Sequence, residues 1–112
     1  MGKLIRDGVP AAVQANGGHI VTRALSPAQF TEALQAQLVE EAHEAAVART
    51  EEQLLEELGD LYELISTLAR MRGFSLTDVE RAADSKRSNY GGFSLRLESV
   101  EYVAGDGRPS GR

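Results

Sequence analysis

The sequence predicts a mainly α protein, an antiparallel helical bundle with a small β-ribbon. Two long stretches with apolar residues at helical spacing fill the middle of the chain and are joined by a very short connection, which makes the two helices antiparallel neighbours. An alternating apolar and polar run near the C-terminus predicts a strand. The 112 residues have the length of one domain, which we expect over residues 1–103, with a flexible tail over 104–112.

Composition restricts the class of function. Charged residues make up 26% of the chain and apolar residues 42%, which is typical of a globular protein rather than a disordered one. The net charge of −5 argues against binding along a nucleic-acid backbone. The absence of cysteine excludes disulfides and thiolate chemistry and is compatible with a reducing cytoplasm. No apolar run approaches the roughly 20 residues of a membrane span, and no signal peptide is evident, so we expect a soluble cytoplasmic protein.

The N-terminal region predicts a short helix followed by an extended segment. Pro10 suits a first helical turn, so we expect a helix from Val9 to Ala15, stopped by the glycines that follow Asn16. The β-branched segment 20–24 is too short for a stable helix, and it fits a strand and an extended loop equally well.

The next predicted helix carries a carboxylate within its apolar face. Ser26 is a suitable N-cap and Pro27 a suitable first residue, and we expect this helix to run to Ala48. Its apolar residues recur at steps of four and seven, at Phe30, Leu34, Leu38 and Ala45. Glu41 lies about 60° from Leu38 around the helix axis, inside this stripe. Because a carboxylate on an apolar face is costly unless it is paired or bound to a metal, Glu41 is the most informative position.

The following helix begins at Thr50, which forms a predicted capping box with Gln53. Its apolar residues step by four and three positions, at Leu54, Leu58, Leu61, Ile65 and Leu68. Glu57 flanks that stripe, and Asp60 lies further round the helix. Gly73 is placed to end the helix as the residue after its C-cap.

The C-terminal region predicts a further, thinner helix and a second strand. The helix starts at Ser75 and ends near Tyr90, and its few apolar residues suggest that it covers an edge of the core. Residues 93–103 alternate apolar and polar side chains with one slip at Glu98, which indicates a bulged strand able to pair with segment 20–24.

The two middle helices carry two acidic pairs with three-residue spacing, at Glu41 and Glu44 and at Glu57 and Asp60. That spacing places each pair on one helix face, and antiparallel packing would bring all four carboxylates together. Mg²⁺ prefers carboxylate oxygens and keeps waters for substrate phosphates. Arg49 is the only cation among residues 37–63, whereas a solvated helix pair normally intersperses cations. A metal site and a solvated acidic face therefore remain open alternatives on the residues alone.

A bound Mg²⁺ would most naturally serve phosphoryl chemistry. Glu40 is a candidate general base that would activate the attacking water. Alternatively, it contacts the metal ligands without binding the metal, or it is a glutamate that faces solvent. Four cations from the flanks of the helices are candidates to bind a polyphosphate, although each alone also fits a surface charge: Lys3, Arg6, Lys86 and Arg87.

Three motifs, in order, resemble a known family. Glu40-Glu41-x-x-Glu44 followed by Glu57-x-x-Asp60 is similar to the EExxE…ExxD signature of the MazG-like all-α nucleoside triphosphate pyrophosphohydrolases, a superfamily that includes phosphoribosyl-ATP pyrophosphohydrolase.

Two flanking stretches resemble a small phosphoribosyl-ATP pyrophosphohydrolase-like subfamily within it. Lys3-Leu4-Ile5-Arg6-Asp7-x-x-Pro10 is similar to its KLVRDKIP opening, and Lys86 with Gly91-Gly92-Phe93 is similar to its KxxxRGGF ending. Tyr90 stands where that subfamily usually has arginine, so one phosphate contact is either absent or replaced by Arg87. The resemblance covers residues 3–98.

The resemblance implies a four-helix core completed by dimerisation, as a homodimer or a higher homo-oligomer. It also implies Mg²⁺, or Mn²⁺, held by Glu41, Glu44, Glu57 and Asp60. Glu40 would be the general base or a residue that contacts the metal ligands without binding the metal. The implied phosphate contacts are Lys3, Arg6 and Lys86.

The implied reaction is hydrolysis between the α and β phosphates of a nucleotide, which gives a nucleoside monophosphate and pyrophosphate. We expect the substrates to be noncanonical or surplus (d)NTPs, as in nucleotide house-cleaning. Two alternatives remain open. One is phosphoribosyl-ATP hydrolysis in histidine synthesis. The other is a non-enzymatic helical interaction module whose acidic pairs bind a structural cation or a basic partner.

Overall fold

A computed structural model describes residues 3–105 of the chain, and within them it contains four α-helices. The helices are α1 at Val9–Ala15, α2 at Pro27–Ala46, α3 at Glu51–Met71 and α4 at Leu76–Tyr90. The predicted mainly α class is confirmed, and α2 ends at Ala46 instead of Ala48. None of the helices in the described part is long and apolar enough to cross a membrane.

The chain divides into two compact units, one ending at Leu76 and the other beginning at Thr77. A single domain over residues 1–103 therefore stays a prediction. Most of the tail predicted at 104–112, from residue 106 onward, lies outside the described residues.

Side-chain caps determine where the two long helices begin. The Ser26 hydroxyl accepts from the backbone N–H of Gln29 at 3.2 Å, and the Gln29 side chain accepts from the backbone N–H of Ser26 at 3.1 Å, which is a complete capping box. Thr50 accepts from the N–H of Gln53 at 3.0 Å, but the Gln53 side chain accepts from Arg49 instead of Thr50. The predicted box at Thr50 is thus half formed. Both caps satisfy N–H groups that have no partner inside the helix.

Helices α2 and α3 pack against each other in the first unit. The short connection over residues 47–50 makes them an antiparallel hairpin. Among the described residues, the buried side chains are two apolar ones, Leu34 and Ala69, and two polar ones, Gln37 and Glu41. A core in which half of the buried residues are polar requires hydrogen bonds or counter-charges for them.

The predicted β-ribbon is wrong, because the described residues contain no strand. Segment 20–24 is the extended loop that was its alternative. In segment 93–103 the backbone N–H of Arg96 donates to the carbonyl of Phe93 at 3.0 Å, and Arg96 has a φ of 56°. This turn interrupts the extended conformation that the alternating side chains would require. Phe93 and Leu97 are exposed, so the alternation corresponds to no buried face.

Glycine ends α3 as predicted. Arg72 is the C-cap of the helix, and Gly73 follows it with a φ of 85°, a conformation that side chains with a Cβ rarely adopt.

Candidate metal centre

Three carboxylates converge between α2 and α3. Glu41 and Glu44 come from α2 and Glu57 from α3, and one ligand oxygen from each lies within 4.8 Å of the others. The i, i+3 spacing places the two α2 glutamates on one face, and the hairpin brings α3 alongside them. The structure therefore brings together three of the four residues that the sequence predicted as metal ligands.

Glu41 is the most enclosed member of this group, at 6% exposure. Its Oε1 accepts a hydrogen bond of 3.1 Å from the buried Gln37 side chain. Its Oε2 is buried and has no hydrogen-bond partner, and the same holds for Oε2 of Glu57. Buried carboxylate oxygens without donors are costly, and a bound cation would satisfy both.

The electrostatics of the group are visible in the pKa of Glu57, which is raised from 4.5 to about 7. The largest cause is the hydrogen bond to the Glu41 carboxyl, followed by burial, the hydrogen bond to Glu44 and the negative charges of both neighbours. Close carboxylates resist full ionisation unless a proton or a cation lies among them. A metal ion bound at this group would therefore displace a proton from Glu57.

The donor set suits a hard divalent cation. All three ligand candidates are carboxylates, and the chain contains no cysteine. Oxygen-only sets favour Mg²⁺, Mn²⁺ and Ca²⁺ over the softer metals that select thiolates. The unpartnered oxygens, the raised pKa of Glu57 and the donor chemistry all agree with a metal site.

Asp60, the fourth predicted ligand, is outside the group of three. It accepts a hydrogen bond of 2.9 Å from Arg6, which forms an ion pair between the N-terminal segment and α3. Glu40, the candidate base, forms an ion pair with Lys3 at 3.6 Å. Two of the predicted phosphate-binding cations thus already lie beside acidic residues of the predicted site.

A cavity of about 830 Å³ opens beside these ion pairs in the first unit. Lys3, Arg6, Glu41 and Asp60 line it, together with apolar and polar residues of α2 and α3. Its volume is within the range of small-molecule binding sites. The segment 3–7 forms one wall, so the charged N-terminal motif is part of a concave site.

The other two predicted cations, Lys86 and Arg87, are on α4, largely in the second unit. Arg87 donates to Asp84, one helical turn before it. A role for Lys86 and Arg87 in binding phosphate stays a prediction.

Several residues of the site were not predicted from the sequence. Gln37 lies four positions before Glu41, a spacing that places it on the same helix face and could have identified it. Three polar residues of α3 that line the cavity were also missed. They follow Asp60 at steps of three, four and three positions and so continue its face along the helix, at Glu63, Thr67 and Arg70.

Comparison with known protein families identifies the family of this chain. Residues 29–89, more than half of the chain, match a family model described as the MazG nucleotide pyrophosphohydrolase domain. The matched range contains the three converging carboxylates and Asp60, whereas the N-terminal segment with Lys3 and Arg6 lies before it. Comparisons with curated proteins and with solved structures give no match.

Proposed function

Because the chain belongs to the MazG nucleotide pyrophosphohydrolase family, we propose that it hydrolyses nucleoside triphosphates between the α and β phosphates. The products are a nucleoside monophosphate and pyrophosphate. The observation that carries the proposal is the convergence of Glu41, Glu44 and Glu57, with two buried carboxylate oxygens that have no partner. These three residues would hold Mg²⁺, with Mn²⁺ as a substitute.

The metal would supply charge neutralisation at the phosphate oxygens and orientation of the attacking water. Beside the metal, the Asp60 carboxylate and an incoming substrate phosphate would compete for the Arg6 guanidinium. A phosphate that draws Arg6 away leaves Asp60 free to act as the fourth ligand. The ion pair of 2.9 Å between Arg6 and Asp60 supports a role for Arg6 in phosphate binding, because it places the Arg6 guanidinium at the acidic end of the cavity.

Glu40 is the proposed general base. Hydrolysis breaks the P–O bond of the anhydride between the two phosphates, and water supplies the new oxygen and loses a proton. The Glu40 carboxylate would accept that proton. Lys3, 3.6 Å from Glu40, would then be a phosphate contact together with Arg6, and Lys86 and Arg87 of α4 are proposed for the same role.

We also propose that the protein acts as a homodimer or a higher homo-oligomer. In the described part of the chain only Leu34 and Ala69 are buried apolar residues, which is a small core for a hairpin of two long helices. Packing of two hairpins would complete a four-helix bundle. Noncanonical or surplus (d)NTPs are the proposed substrates, and the reducing cytoplasm is the proposed location of this cysteine-free chain.

The first experiment measures pyrophosphate release from a panel of nucleoside and deoxynucleoside triphosphates in the presence of Mg²⁺. The variant Glu57→Gln keeps the size of the side chain but removes a charged ligand, and we expect a loss of roughly 100-fold or more. Glu56→Gln, at an exposed position one residue earlier on α3, is the matched control and should retain activity.

Other results of the pyrophosphate assay would contradict the proposal or favour an alternative. Equal activity of the wild type and Glu57→Gln would show that the three-carboxylate site is wrong. Turnover of phosphoribosyl-ATP alone would favour the histidine-synthesis alternative. No turnover of any substrate, with cation or partner binding lost in Glu57→Gln, would favour a non-enzymatic helical module.

A further inference from the structure

The cavity extends from the acidic residues along the second half of α3. Asp60 lies at one end of its α3 wall and Arg70 lies ten residues later, about 15 Å along the helix axis. Glu41 lines the cavity on the α2 side, as part of the carboxylate group. The acidic end is where a metal-bound triphosphate would lie, so the rest of the cavity has the length needed for the sugar and the base.

The far part of the cavity contains a short chain of polar side chains. The Thr67 hydroxyl donates to Oε2 of Glu63 at 3.4 Å, and Arg70 donates to that hydroxyl at 3.5 Å. Both contacts are at the long end of the hydrogen-bond range and are therefore weak. Exchanging them for contacts to a ligand would cost little, so Glu63 offers acceptors and Arg70 offers donors.

Apolar side chains form part of the remaining surface of the cavity, beside Asp7 and Gln37. The apolar ones come from the N-terminal segment, α2 and α3: Leu4, Ile5, Phe30, Leu34, Leu64 and Met71. A combination of apolar surface and convergent polar groups is typical of small-molecule sites. Flat aromatic ligands match this arrangement, because their faces contact apolar groups and their edges form hydrogen bonds.

We propose that Glu63, Thr67 and Arg70 bind the nucleobase and determine base specificity. Glu63 accepts from an exocyclic amino group, and Arg70 donates to the adjacent ring nitrogen or carbonyl. The favoured substrates are therefore nucleotides of adenine, guanine or cytosine. Uracil and thymine have no exocyclic amino group, and their one donor on this edge, N3–H, lies between two carbonyl oxygens that the Glu63 carboxylate repels. This inference rests on the proposed function, because it takes the acidic end of the cavity as the phosphate end.

The test compares kcat/KM for the four common ribonucleoside and deoxyribonucleoside triphosphates in the wild type, Glu63→Gln and Arg70→Gln. A base-reading pair of hydrogen bonds is worth roughly 10- to 100-fold in discrimination. We expect Glu63→Gln to lose about that factor on the best amino-bearing substrate and to keep its rate on the uracil nucleotide, so the ratio between the two substrates falls. Arg70→Gln should lose rate on both substrates, because uracil also offers carbonyl oxygens to Arg70.

The controls are two exposed residues outside the cavity wall, Glu32 on α2 and Arg72 at the end of α3. Glu32→Gln and Arg72→Gln make the same chemical changes and should leave the ratio unchanged. Circular dichroism melting establishes that all four variants are folded. Since Glu63 and Arg70 are both exposed, their replacement should leave the fold intact.

A second measurement does not depend on turnover. Isothermal titration with the nucleoside monophosphates of the four bases, without divalent cation, should show the same preference and its loss in Glu63→Gln. Hydrolysis with unchanged base preference in both variants, or a wild-type preference for uracil, would overturn the inference and leave the proposed function standing. Monophosphate binding that depends on Glu63, with no hydrolysis of any triphosphate, would overturn the proposed function and support the base site.

Discussion

Glu41 lies on the inner side of α2, where a charged side chain needs compensation. Gln37 donates to one of its carboxylate oxygens, and the other has no partner. Glu57 approaches the same position from α3, and the closeness of the carboxyl groups raises its pKa to about 7. Without metal, the protein thus stabilises a proton on Glu57, at the position where we propose that a cation binds.

The raised pKa of Glu57 predicts how stability depends on pH. Its unfolded-state value is 4.5 and its folded value about 7, so the folded chain retains a proton that the unfolded chain has lost. The contribution of this proton to the free energy of unfolding is complete below pH 4.5 and is lost as pH rises through about 7. A cation at Glu57 replaces the proton, so we expect the rise in Tm caused by Mg²⁺ to grow as pH increases through 7.

Thermal melting with and without Mg²⁺, on both sides of pH 7, checks this prediction. Glu57→Gln has no proton to release, so its Tm without metal should depend less on pH and should respond little to Mg²⁺. A Mg²⁺ effect on the wild type that is equal below and above pH 7 would contradict the assignment of Glu57 as a ligand.

The N-terminal segment, residues 3–7, connects the two long helices that carry the acidic residues. Its two ion pairs contact both long helices, Lys3 with Glu40 of α2 and Arg6 with Asp60 of α3. All four side chains are substantially exposed, and exposed ion pairs contribute about 0–1 kcal/mol to stability. Their main consequence is the position of the segment, which forms a wall of the cavity and places two cations beside its acidic residues.

Removing one of these cations should therefore affect substrate binding more than folding. We expect Arg6→Gln to change the free energy of unfolding by less than about 1 kcal/mol and to raise KM for the triphosphate roughly tenfold, because a charge-assisted contact to phosphate is lost. Denaturant titration and steady-state kinetics measure the two effects. Arg49→Gln, in the exposed connection between α2 and α3, is the control. An unchanged KM, or a larger loss of stability, would assign Arg6 a structural role.

At the scale of the whole molecule, α3 carries a stripe of exposed apolar side chains. Steps of three and four place them on one face, at Leu55, Leu58, Tyr62 and Ile65. Leu55 is 72% exposed and Tyr62 is 58% exposed. Contiguous apolar surface of this kind marks an interaction site, and a second copy of the hairpin would bury it in the proposed bundle.

A charge in this stripe should separate the proposed dimer. We expect Tyr62→Glu to reduce the mass measured by light scattering from that of two chains to that of one, because a carboxylate buried in an apolar interface has no counter-charge. Val39→Glu places the same charge at an exposed apolar position on α2, outside the α3 stripe, and should leave the mass unchanged. A wild-type protein with the mass of one chain would contradict the proposed dimer.

Sequence alone determined the helices, the main features of their ends and the position of Glu41 on an inward face. Ser26 and Pro27 start α2, Thr50 caps α3 and Gly73 ends it, each through contacts or backbone conformations only a few residues long. Such local interactions depend on residue type and spacing, so they are visible in the sequence. The acidic spacing, too, is local, which is why the candidate metal ligands could be named in advance.

Tertiary structure decided which of those residues meet. Glu57 joins the α2 glutamates, whereas Asp60 pairs with Arg6, a partner 54 positions away in the chain. Helix packing and the path of the N-terminal segment determine this choice, and no short-range pattern encodes it. The predicted β-ribbon was wrong for a related reason. Strand pairing is non-local, and a turn at Arg96 ended the extended run that the alternation of residues 93–103 had indicated.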